Sequence, residues 1–297
     1  MRWRGVHAAV PTPFGEDEAL DLGALEAQLE RLVEAGVAGI VVLAPLGEGT
    51  SLTADERRAV LHRAVLAVDG RVPVTVGVCE TTTRAACHLA ADCERAGADA
   101  LVVLACPPYR SDERETLMHL RSVAAATELP VMVHGDDVAP ALVAELAELG
   151  NVEAVVECGL ERMAEHERAA VGVLAGADEL VVESVLRGAQ GQLGGVVNVF
   201  PHDAVELLEL AAAGRWDDAL ALHRRLAPLL RAAPGGKRVQ AIKLAQLLMG
   251  VGTETVRAPR LPLTGAAREA VERAVAAMRE GLDERRSAAP IFPTSAR

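Results

Sequence analysis

Two hydrophobic patterns alternate along the chain. Short runs of Val, Leu and Ala recur eight times: VHAAV around His7, GIVVLA around Val41, VPVTVGV around Val76, ALVVLA around Val102, PVMVH around Met132, VEAVV around Val155, VGVLAG around Val173 and GGVVNV around Val197. Each is too short for a helix and lacks polar alternation, as a strand buried on both faces requires. The stretches between them have helical spacing. Residues 24–36 place Leu25, Leu29, Leu32 and Val33 on one face and stop at Gly36, and residues 83–97 stop at Gly97 in the same way. Thr53, followed three residues later by Glu56, predicts a capping box at the start of a helix.

Repeated strand–helix units with fully apolar strands predict a parallel sheet. Eight of them in about 200 residues predict an α/β fold, a closed (β/α)8 TIM barrel over residues 1–201. An open doubly wound sheet is the alternative, but no GxGxxG follows the first strand, which argues against a dinucleotide site. From residue 202 the pattern is wholly helical, which predicts a C-terminal helical extension of the same domain to residue 286. Residues 287–297, with Pro290 and Pro293, read as a loose tail.

Composition narrows the partners. The 297 residues are 51% hydrophobic and 24% charged, a globular balance, and 30 Lys+Arg against 42 Asp+Glu leave a net charge of −12. An acidic chain without a basic run predicts no nucleic-acid and no anionic-membrane partner. No run of 18 uninterrupted apolar residues spans a bilayer, and the opening MRWRGVHAAVPTPFGEDE lacks a leader-like apolar region, so the expected location is cytoplasmic. Aromatic residues are only 2%, so the core must be built from Ala, Val and Leu. Five cysteines, an odd number in a chain of this length, read as free thiols.

Several segments together resemble the dihydrodipicolinate synthase/N-acetylneuraminate lyase family between about Gly5 and Gly281. AAVPTPF resembles its opening strand, LGEGTSLTADERRAVL its loop and helix after strand two, and LPVMVH its fifth strand. RGAQGQLGGVVNVFP resembles its seventh-helix-to-eighth-strand segment, and IKLAQLLMGVGTETVRAPRLPLTGAAREAVERAV its C-terminal helices. The resemblance implies a class I aldolase-like barrel, in which a lysine on strand six forms a Schiff base with a 2-oxo acid. It also implies a homodimer or homotetramer, with Tyr109 matching a tyrosine that the family inserts across a subunit interface.

The resemblance fails at the residues that carry the chemistry. Val156 falls where the family has its lysine, and the only lysines are Lys237 and Lys243, both in the C-terminal helices, where Lys243 reads as a structural, solvated residue. Ala44-Pro45-Leu46-Gly47-Glu48 replaces the family's Gly-Thr-Thr-Gly-Glu, so its hydroxyls are gone. His134 stands for a tyrosine, and Asp136 and Asp137 lie where a carboxylate-binding arginine is expected. Two aspartates there should repel a 2-oxo acid.

In such a barrel the active site lies at the carboxyl ends of the strands. The candidate catalytic residues are His134, as general base, Tyr109 and Glu48, the last with loop bracing as its other reading. The candidate substrate contacts are Thr12, Gly47, Cys106, Asp136, Asp137, Asp178 and Gly194. Glu157 should point outward by strand alternation. Cys79, Cys106, Cys158 and His134 end neighbouring strands and would suit Zn²⁺ or iron, but CxxC and HxxH spacings are absent, so packing is the reading taken and no metal or cofactor is expected. Gly188, Gly191, Gly194 and Gly195 either cradle a phosphate or allow close backbone packing. Two functions stay open: a lyase-, cyclase- or isomerase-like enzyme on a small metabolite without a lysine Schiff base, and a catalytically silent homologue that binds a metabolite or partner.

Overall fold

The computed structural model describes residues 3–105, 109–135, 138–166, 170–232 and 236–288, the side chains of 281–288 excepted. Eight parallel strands close into a barrel in chain order. They are β1 (Gly5–Ala9), β2 (Gly39–Val42), β3 (Val74–Val78), β4 (Ala100–Val103), β5 (Val131–His134), β6 (Val152–Glu157), β7 (Gly172–Ala175) and β8 (Gly191–Gly194). The helices between them are α1 (Leu22–Glu34), α2 (Ala54–Val68), α3 (Thr83–Arg95), α4 (Glu113–Ala124), α5 (Pro140–Ala147), α6 (Met163–His166) and α7 (Val181–Leu186). Then come α8 (Pro201–Ala212), α9 (Trp216–Arg231), α10 (Arg238–Leu248) and α11 (Gly265–Ala288). The closed parallel order excludes the open sheet.

Local chemistry sets the helix starts. The Asp21 carboxylate accepts from the Ala24 N–H at 2.8 Å, and the Thr53/Glu56 capping box forms as its spacing predicts. The strand pleat then divides the apolar residues between two cores. Val74, Val76 and Val78 face the helices, in one large cluster with Leu25, Leu29 and Leu61. Trp3, Val41, Val102, Met132, Ala154, Val156 and Leu174 fill the barrel itself. Small aliphatic side chains complete both layers, as the scarcity of aromatics requires.

The eighth strand differs from the sequence reading. It is the GQLG segment, fixed by pairing with β1 from Gly5↔Gly191 to Ala8↔Gly194. The GGVVNV run follows it as a tight turn, a 3₁₀ helix at Val196–Asn198. Its valines are apolar because the turn is buried, not because it is a strand. Asn198 holds it there, donating to the Ala9 carbonyl at 2.7 Å and accepting from Gln28 at 3.0 Å. The helix that follows, α8, packs on β1, α7 and α9, so the first helix of the predicted extension is the barrel's own eighth helix. Among the described residues no helix is long and apolar enough to cross a membrane.

Candidate active site

The carboxyl ends of the strands open on a cavity of about 450 Å³. Its wall is mostly aliphatic: Ala9 from β1, Ala44, Pro45 and Leu46 from the loop after β2, Val102 and Leu104 from β4 and its end, and Leu193 from β8. Among the described residues three side chains bring chemistry to it: His134, Cys158 and Arg238.

His134 is the last residue of β5. Val133 faces the helices, so its neighbour His134 turns inward, in register with Val156 of β6. Val156 is fully buried in the barrel, and Cys158, two residues further on, reaches the cavity. Neither lysine lines this cavity.

Arg238 was not singled out by the sequence. It is the first residue of α10 and enters the rim from the C-terminal helices, with Nη2 2.5 Å from Asp178 Oδ2 and 3.7 Å from Glu179 Oε2. The Asp178 charge holds the guanidinium pKa above its ordinary value against the opposing effect of burial, and Glu179 adds in the same direction. Asp178 is buried and also accepts from Gln192 Nε2 at 2.6 Å, Gly195 N–H at 2.9 Å and Val196 N–H at 3.1 Å. Its two oxygens are occupied, so this aspartate orients Arg238 rather than a substrate. Gly194 lines the cavity, but a Cβ there would meet Asp178 Oδ1 at 2.6 Å, so the glycine makes room for the carboxylate.

The loop after β2 is braced from behind. Glu48 sits in the left-handed region at φ 53°, fully buried, and its Oε1 lies 2.5 Å from Lys243 Nζ. Its Oε2 accepts from the Arg257 N–H at 3.2 Å and lies 3.6 Å from Arg260 Nη1. Glu48 does not line the cavity, and its neighbours leave it the bracing role. Lys243 is buried rather than solvated, donates to the Thr255 carbonyl at 2.8 Å and lies 4.2 Å above the Phe14 ring. Burial pushes its pKa down to about 8, although Glu48 pulls the other way. Thr12 donates to the Gly47 carbonyl at 2.6 Å, and a Cβ on Gly47 would meet the Val10 carbonyl at 2.9 Å. Thr12 and Gly47 therefore shape the loop that presents Pro45 and Leu46 to the cavity.

Tyr109 stands apart from the cavity. It is 58% exposed and donates to Glu115 Oε1 at 3.1 Å; that bond to a carboxylate raises its pKa. Glu157 points outward as expected, to His166 Nε2 at 3.1 Å, the Gly159 N–H at 2.9 Å and Arg162 Nε at 3.4 Å. Burial pushes its pKa up, but those donors outweigh it and the carboxyl stays below its usual range. Cys79 is disulfide-bonded, whereas Cys87 and Cys93 are free thiols, so the odd cysteine count misled the all-thiol reading. Among the described residues no group of three His, Cys, Asp or Glu side chains could hold a metal ion. Cys106, Asp136 and Asp137 lie outside the described residues.

These features define a (β/α)8 barrel with its cavity at the carboxyl ends of the strands, closed on one side by a C-terminal helix. Residues 2–278 match the Dihydrodipicolinate synthetase family, and the chain belongs to that family. It is similar to the 4-hydroxy-tetrahydrodipicolinate synthase of Methanothrix thermoacetophila, with 32% identity over 279 residues, 88% of this chain and 92% of that protein. The synthase of Moorella thermoacetica is 32% identical over 292 residues, 94% of this chain and 99% of that one. Among solved structures, the 4-hydroxy-tetrahydrodipicolinate synthase of Methylacidiphilum fumariolicum superposes with a TM-score of 0.90 at 26% identity, covering 96% of this chain and 98% of that chain.

Proposed function

We propose that this protein is a lyase-like enzyme acting on a small metabolite without a lysine Schiff base. The observation that carries the reading is the inner face of β6, where Val156 fills the barrel beneath the cavity and both lysines lie elsewhere. A valine cannot add to a carbonyl, and Lys243 is committed to Glu48. His134 is the imidazole on the cavity wall, a residue type suited to proton transfer, so it is the general acid–base candidate, and Arg238 on the same wall supplies a fixed positive charge. Lyase, cyclase and isomerase chemistry all need such a proton transfer and need no amine.

Cytoplasmic location and a homodimer or homotetramer belong to the same proposal. They are supported by family membership and, for assembly, by the exposed Tyr109. The test of function is to identify a metabolite converted by the purified protein and then to assay His134→Ala. Loss of about 10²- to 10⁴-fold in kcat is expected for a general acid–base. Full activity in the variant would remove His134 from the mechanism. A second reading, a silent metabolite-binding homologue, draws on the largely aliphatic cavity wall and predicts binding with no turnover.

A further inference from the structure

We propose that the cavity selects an amphipathic monoacid, with Arg238 as the specificity-determining residue for its anionic group and the aliphatic wall as the seat of a hydrocarbon body. The inference deepens the proposed function, since it concerns the ligand class of the same cavity. It does not depend on turnover.

The guanidinium is held, but only in part. Its Nη2 is on Asp178, which itself is fixed by Gln192 and by the N–H groups of Gly195 and Val196. Arg238 lines the cavity, its side chain 39% exposed, and Nε and Nη1 make no hydrogen bond among the described residues. A planar fork with one edge anchored and further donors open is oriented in advance for an oxyanion. Arg238 is also the only Lys or Arg among the described residues of the wall.

Apart from Arg238, His134 and Cys158, the side chains of the wall are apolar among the described residues. Leu46, Val102, Leu104, Val138 and Leu193 present hydrocarbon, and Pro45 and Leu46 stand where the loop could have carried hydroxyls. A polyhydroxylated body would lose its water there and find only His134 and Cys158 as further side-chain partners among the described residues, whereas an alkyl or aryl body would gain about 0.8 kcal/mol per buried CH₂. A cavity of about 450 Å³ accommodates a ligand of such a class. The combination therefore favours one carboxylate joined to an apolar chain or ring.

Titration calorimetry of the full chain with the n-alkanoates from butanoate to octanoate, and with the corresponding primary amides, tests this. The expected result is an affinity that rises about threefold or more with each added CH₂ until the cavity is full, and a carboxylate preference over the amide of at least about tenfold. Arg238→Gln should abolish that preference while keeping the chain-length trend, and Arg238→Lys should keep part of the preference. Equal binding of acids and amides by the native protein, or affinity independent of chain length, would overturn the proposal without any variant. Catalytic silence would overturn the enzyme reading and leave this one standing, and a failed His134→Ala test would not touch it.

Discussion

His7 shows what one buried residue does to the barrel. It lies fully buried in β1, its ring 5.8 Å from that of Trp3, and burial lowers its pKa from 6.5 to about 4, against a smaller upward pull from the Arg4 backbone. Because the unfolded chain binds this proton more readily, its linkage term is absent above pH 6.5 and grows as pH falls towards 4. Between pH 7 and pH 5 the protein should lose roughly 2 kcal/mol of stability through this group. Urea unfolding at the two pH values checks it. His7→Phe should remove that part of the pH dependence, and an unchanged difference would reject the assignment. The outward turn of Glu157 was legible at this scale, because strand alternation fixes it. Arg238 was not, because no local pattern connects the first residue of α10 with Asp178, 60 positions earlier.

At the scale of elements, the loop after β2 and helix α10 are joined by Glu48 and Lys243, 195 residues apart. The pair is buried, so removing one partner strands the other. Lys243→Met should destabilise the protein by about 3–5 kcal/mol, and adding Glu48→Gln should recover part of the loss. Chemical denaturation of the single and double variants measures both effects, and a single variant as stable as the parent would contradict the bracing role. The sequence made the loop and the helix individually recognisable but not their contact. From the sequence, Lys243 therefore reads as a solvated lysine and Glu48 keeps a catalytic reading. Strand eight shows the same limit in reverse: a valine-rich buried turn has the hydropathy of a strand, while the true strand, GQLG, carries a polar Gln192 that serves Asp178. Pairing with β1, which hydropathy does not contain, decides between them.

For the whole molecule, the eight apolar runs announced a barrel because closure is the way to bury eight such strands without an edge. What they left open is assembly and chemistry. Scattering in dilute solution should give a mass of at least twice the 31.1 kDa of one chain, and a monomer mass would reject the assembly proposal. The central claim is that this family member works without an imine. Its most direct test is borohydride reduction in the presence of pyruvate, followed by intact mass measurement and peptide mapping. Unmodified protein is the expected result, because Val156 occupies the inner face of β6 and Lys243 is held by Glu48. A reduced pyruvyl adduct on Lys237 or Lys243 would contradict it.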